Sequence, residues 1–135
     1  MYVKVDVNYG TVGGPSLTGH VWVTVYNNDG SAVYSRGFNP NYDNTSNQWG
    51  GVPGYATDDR DEGPAAWSGP AIPITQDQFD KFRNFADRTN GTATWEPFGG
   101  NGSTGFNCAT WARSAFNEMG IPWLGCLRLF NSFFA

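Results

Sequence analysis

Lysine is almost missing from this chain. Only Lys4 and Lys81 occur in 135 residues, and 8 Lys and Arg face 12 Asp and Glu for a net charge of −4. A surface of that kind lacks the basic stripe that neutralises phosphates, which excludes nucleic acid and anionic membrane surfaces as partners. Cysteine is nearly as scarce. Cys108 and Cys126 are too few for a disulfide scaffold and lack the paired spacings of a zinc site, leaving one bridge or two free thiols. Neither a metal nor another cofactor is expected. No stretch approaches the ~18 uninterrupted apolar residues of a membrane span, and residues 1–6 hold no basic segment followed by an apolar run. Stable membrane insertion and a signal peptide are therefore not expected. Histidine occurs once, as His20.

What the chain has in excess is glycine, with 18 residues, and aromatic bulk, with 6 Trp, 6 Tyr and 10 Phe. Aromatic side chains must carry much of the core, since only 15% of residues are charged where about 25% is usual. The length suits one domain over residues 1–135 and leaves no room for a second.

Alternation marks two strands. Val3, Val5 and Val7 share one face of residues 2–9, with Lys4, Asp6 and Asn8 on the other, and residues 19–26 alternate with strong strand formers. Asn27-Asn28-Asp29-Gly30 reads as a two-residue type I′ hairpin turn, after which residues 31–39 return antiparallel. Residues 40–73 show no sustained period and read as a long surface connection. Within it, Asp58-Asp59-Arg60-Asp61-Glu62-Gly63 lacks the alternating oxygens of a calcium loop and reads as a solvated acidic segment. Thr75-Gln76-Asp77-Gln78 is a capping box, and Phe79, Phe82, Phe85 and Ala86 then form the buried stripe of a helix stopped at Asn90-Gly91. A second helix runs from near Asn107 to Gly120, with Ala112, Ala115, Phe116 and Met119 inward. The elements together predict an α+β fold, an antiparallel sheet with a helix packed on it.

Chemistry concentrates on two residues. A cysteine in the first turn of a helix meets unpaired amide N–H groups and the positive end of the helix dipole, which makes Cys108 the candidate nucleophile. His20, on the strongest strand, is the candidate base. The alternatives are a structural histidine and a Cys108–Cys126 disulfide. If Asp29-Gly30 forms the turn, paired residue numbers sum to 59 and His20 faces Asn39, which makes Asn39 the residue expected to orient the imidazole. Ser35 competes for that role, but in this register it opposes Thr24.

Gly19-His20-Val21-Trp22-Val23, the element Gly37-Phe38-Asn39-Pro40, and Asn107-Cys108-Ala109-Thr110-Trp111-Ala112 entering a helix that ends Met119-Gly120-Ile121-Pro122 resemble the circularly permuted branch of the papain-like NlpC superfamily. In that branch, which includes lecithin:retinol acyltransferase-like proteins, the histidine precedes the cysteine. The segment from Ile72 to Cys108 is similar to amidase effectors of type VI secretion. The resemblance implies a cysteine amidase or endopeptidase acting on peptide or amide bonds of bacterial peptidoglycan, an antibacterial toxin with a cognate immunity protein, exported without a signal peptide and acting in the periplasm of a target bacterium. It also implies an oxyanion donor in the Cys108 N–H. Trp22, Asn107 and Trp111 are the candidate substrate contacts, each with a bland alternative: helix cap for Asn107, core packing for the two tryptophans. Two other functions stay open. One is a permuted papain-like acyltransferase or lipase, with Leu127, Leu129, Phe130, Phe133 and Phe134 lining an acyl groove. The other is a carbohydrate-binding module without catalysis.

Overall fold

A computed structural model describes residues 1–8, 19–40, 51–59 and 65–123. These form an α+β fold in which a curled, mostly antiparallel sheet of eight strands makes a half-barrel and two helices pack against it. The strands are β1 (Tyr2–Asn8), β2 (His20–Tyr26), β3 (Ala32–Pro40), β4 (Val52–Thr57), β5 (Trp67–Ser68), β6 (Ile72–Pro73), β7 (Thr94–Trp95) and β8 (Gly105–Phe106). Helix α1 (Gln76–Thr89) separates β6 from β7, and α2 (Cys108–Glu118) follows β8. Across the sheet the order is β5-β1-β2-β3-β4-β7-β8, with β6 also paired to β1. Among the described strands only β7 and β8 run parallel.

The valine face anticipated for β1 is the core face. Val3, Val5 and Val7 join Val21, Val23 and Val25 of β2 beneath Phe79, Phe82 and Phe85 of α1 and Ala112, Ala115 and Phe116 of α2. Small alanines let α2 lie close to β2 and β3, and aromatic rings fill the wider space under α1. Both helices begin as their sequences dictate. Thr75 accepts from the Gln78 amide while Gln78 reaches back to the Thr75 amide, and Asn107 and Thr110 make the same reciprocal pair at α2.

The opposite face differs from expectation. Asp6, expected to face water, is buried, and so are five consecutive residues of β2. Curling brings polar groups of neighbouring strands together there. Ser68 donates to Asp6 Oδ1 at 2.5 Å, Thr24 donates to Asp6 Oδ2 at 3.3 Å, and the Thr24 and Ser35 hydroxyls bond at 3.0 Å. A buried carboxylate is tolerable only with such partners.

The β2–β3 hairpin reaches the expected register by another route. Gly30 alone takes positive φ, at 89°, and the amides of Gly30 and Asn27 bond to the carbonyls of Asn27 and Ser31. This is a three-residue loop in place of the two-residue type I′ turn, because Asp29 does not adopt the left-handed region that such a turn demands. It sets Tyr26 opposite Ala32, a bulge follows, and Val25↔Tyr34, Thr24↔Ser35 and Trp22↔Gly37 then fall where the sum of 59 puts them.

Residues 40–73 are the main correction. Within them β4 pairs antiparallel with β3 from Gly37↔Thr57 to Pro40↔Gly54. Pro53 and Gly54 argue against a strand in isolation, but a side chain at Gly54 would strike the Phe38 ring at 2.1 Å, so the glycine makes room for a core aromatic. The end of α1 holds β4 from the other side, since Asn90 Oδ1 accepts the Ala56 amide and Gly54 O accepts the Gly91 amide. Among the described residues no helix is long and apolar enough to cross a membrane.

Candidate active site

Cys108 is the first residue of α2, and its thiol is free and partly exposed. The cap beneath it is fully employed. Asn107 Oδ1 accepts from Thr110 N at 2.8 Å, Thr110 Oγ1 accepts from Asn107 N at 3.0 Å, and the Asn107 amide donates to Pro97 O at 3.3 Å. Thr110 Oγ1 also lies 3.0 Å from Gly99 O. The glycine-rich approach is thus fastened to the helix start on both sides of Phe98. Gly99, at φ 100°, and Gly100, at φ 63°, supply the positive φ that the approach needs. Because the cap serves the Thr110 amide, the N–H groups of Cys108 and Ala109 are left with no acceptor inside the helix. By helix geometry they are open to an acceptor brought to the start of α2.

His20 opens β2, with only 12% of its side chain exposed. Its Nε2 lies 2.7 Å from Oδ2 of Asp59, whose side chain is 4% exposed. Asp59 stands just past β4, and its other oxygen is held as well: Thr57 Oγ1 donates to Oδ1 at 2.9 Å and itself accepts from Asn39 Nδ2 at 2.6 Å. Trp22 backs the imidazole, with ring centroids 5.7 Å apart and planes 21° from parallel. Cys108 bears on the same ring, by hydrogen bonding and by charge.

Burial by itself would push the imidazole pKa down. Hydrogen bonds that the protonated ring donates to Asp59 and Cys108, together with the negative charge each can carry, outweigh burial and hold it up at about 10. Near neutral pH the ring is a cation between two groups able to be anions. In the unfolded chain its pKa returns to 6.5, so the stability contributed by this proton is complete below that value. It declines as the pH rises and is gone once the pH passes about 10. Urea titrations at pH 6, 8 and 10 are expected to show a falling free energy of unfolding, with a flatter fall in Asp59→Asn. Equal slopes in the two proteins would contradict the pairing.

The residues singled out in the sequence are only partly brought together. Cys108 is near enough to His20 to bear on its protonation. Asn39, expected on the imidazole, is three hydrogen bonds away from it: its backbone pairs with Tyr55 of β4, its amide bonds to Thr57, Thr57 bonds to Asp59, and Asp59 takes the place beside Nε2. Ser35 opposes Thr24, as expected, and belongs to the Asp6 cluster. The three proposed substrate contacts are buried. Trp111 is 0% exposed, stacks on Phe38 and donates to Thr89 Oγ1 at 2.9 Å, so it cannot line a groove. Trp22 is 4% exposed and its ring lies against His20, while both ends of the Asn107 amide are spent on the cap and on Pro97. Cys126 and the apolar residues 127–134 lie outside the described residues, as do residues 60–63 of the acidic segment.

Two residues of the site went unnoticed in the sequence. By sequence Asp59 reads as part of a solvated loop, and nothing near it in the chain signals otherwise. Gly37 did leave a signal. A glycine within Tyr34-Ser35-Arg36-Gly37-Phe38 breaks a run of strand formers, which marks a place where another group comes close. A Cβ there would lie 1.9 Å from Asp59 Oδ2 and 2.8 Å from His20 Nε2. Among the described residues no group of three or more His, Cys, Asp or Glu is arranged to hold a metal. Comparison of the chain with protein-family models, with curated proteins and with solved structures finds no match.

Proposed function

We propose that the protein is a cysteine hydrolase of permuted papain-like fold, in which His20 and Cys108 form the catalytic pair and Asp59 is the third member. The observation that carries this reading is the convergence of a helix-N-terminal thiol and a buried carboxylate on one imidazole. The substrate is a peptide or amide, by the resemblance of the motifs around His20 and Cys108 a peptide bond of bacterial peptidoglycan. The same resemblance supports an antibacterial effector acting in the target periplasm and neutralised by an immunity protein. A net charge of −4 gives no electrostatic steering towards an anionic wall, so encounter depends on local contacts or on delivery.

The pair would work as follows. The His20 ring already carries a proton near neutral pH, so Cys108 reacts as the thiolate partner of an imidazolium: the thiolate attacks the carbonyl carbon while the first-turn amides receive the oxygen's charge. The C–N bond breaks, the imidazolium gives its proton to the leaving amine, and a thioester remains on Cys108. Acylation removes the sulfur's charge and its hydrogen bond to the ring, two of the influences that hold the imidazole pKa up. With its pKa brought nearer to neutral, more of the ring is free to accept a proton once the thioester has formed. It then accepts a proton from water, the hydroxide attacks the thioester, and the acid product leaves as the thiolate is restored.

Alkylation of Cys108 across pH, in the wild type and in His20→Ala, tests the pairing. The wild-type thiol is expected to react faster near neutral pH than an unactivated thiol, and His20→Ala to remove that advantage. Digestion of purified muropeptides, lost in Cys108→Ala, tests the substrate. If Cys108 behaves as an ordinary thiol, or if Cys108→Ala still cleaves, the reading is wrong.

A further inference from the structure

Glycine at position 37 cannot be explained by its backbone. Gly37 lies inside β3 and is not among the glycines with positive φ, so any L-residue could adopt its conformation. A glycine within a strand weakens it, by loss of both side-chain packing and chain entropy. Something at this position must require the absence of a side chain. The space a methyl group would take holds the Asp59 carboxylate at 1.9 Å and the His20 Nε2 at 2.8 Å. Neither can give way easily. Asp59 is held through Oδ1 by Thr57 and through Oδ2 by His20, and the His20 ring lies against Trp22.

We propose that Gly37 is a positioning residue: bare backbone at this point of β3 forms the floor on which the Asp59 carboxylate meets the His20 ring, and any side chain there expels the carboxylate. The Gly37↔Thr57 pairing of β3 with β4 puts the floor and the Thr57 hydroxyl that steadies Asp59 at one level of the sheet. The consequence for catalysis rests on the hydrolase reading, but the geometric requirement does not. The titratable groups that bear on His20 are Asp59 after β4 and Cys108 on α2, while its neighbour on β1, Asn8, carries no charge.

A double-mutant cycle tests this without any substrate. Gly37→Ala, Asp59→Ala and the double variant are compared by thermal unfolding and by NMR titration of the only histidine ring. Gly37→Ala is expected to lower the ring's titration midpoint from about 10 towards the 6.5 of a free imidazole. It is also expected to lower the melting temperature. In the Asp59→Ala background the methyl group meets only His20 Nε2, at 2.8 Å, and the ring can shift into the space the carboxylate leaves, so it should cost less stability than in the wild type and leave the titration where Asp59→Ala has already put it. If Gly37→Ala alone fails to fold, folding of the double variant supports the proposal. An equal loss of stability in both backgrounds, failure of the double variant to fold, or an unshifted titration in Gly37→Ala overturns it. Loss of hydrolytic activity plays no part in these outcomes, so failure of the hydrolase reading would be seen separately.

Discussion

Asp59→Asn is expected to lower the rate of hydrolysis roughly 10²–10⁴-fold while leaving the fold intact, the scale on which triads respond to loss of the charge that orients their histidine. The substitution is nearly isosteric. Its amide oxygen can still accept from Nε2–H, and Thr57 can still bond to the side chain, so the ring keeps its orientation. What disappears is the negative charge 2.7 Å from Nε2. Without it burial dominates, the imidazole pKa falls from about 10, and the cation that protonates the leaving amine is depleted at neutral pH and above. The alkaline limb of kcat/KM should move to lower pH by the same amount as the ring's titration midpoint, because that limb reports the free enzyme. Asp59→Ala removes orientation as well as charge and should be slower still. A wild-type rate and an unmoved alkaline limb in Asp59→Asn would show that the carboxylate is only structural.

Trp111→Ala should cost about 3–5 kcal/mol of stability, the range for deleting a fully buried large aromatic. At a few degrees per kcal/mol for a domain of this size, the melting temperature would fall by roughly 10–20 °C. Trp111 is a central packing residue: its ring lies 6.0 Å from Phe38 at an 8° interplanar angle and 5.2 Å from Phe85, and Phe82 meets it edge-on at 6.1 Å. Its indole N–H is satisfied by Thr89 Oγ1, which in turn donates to Phe85 O. Trp111→Phe keeps most of the packing and loses the hydrogen bond, so its cost should be nearer 1 kcal/mol. In neither variant should KM change for the molecules that remain folded. An unchanged melting temperature with a raised KM would place Trp111 in the substrate groove after all.

These two experiments fall on residues that a linear reading treats differently. Trp111 was open to either role, since its position one turn past Cys108 fits a groove wall as well as a core. The α2 packing angle decides between them, by turning the indole towards Phe38 of β3. Nothing in the sequence marks Asp59 for the site. It lies 39 positions from His20, and only the β3–β4 pairing returns it to the imidazole. The register that sets Asn39 opposite His20 holds from Trp22 to Val25. What it missed was that β3 continues past that ladder to pair with β4, so that Asn39 belongs to the support of Asp59.

Features decided within about four residues were therefore determined by the sequence itself. They include the capping box of α1, the Phe79-Phe82-Phe85 stripe, the valine faces of β1 and β2, and the placing of a lone thiol at the start of α2. Each depends on a side chain and the backbone one turn or one pleat away. Tertiary structure alone decided the burial of Asp6, the strand at residues 52–57, the inward turn of Trp111 and the meeting of Asp59 with His20 over Gly37. Those arise where distant strands and helices are brought into contact. A carboxylate in an acidic stretch and a glycine in a strand take on meaning only when the same small volume must hold both an ion pair and no side chain.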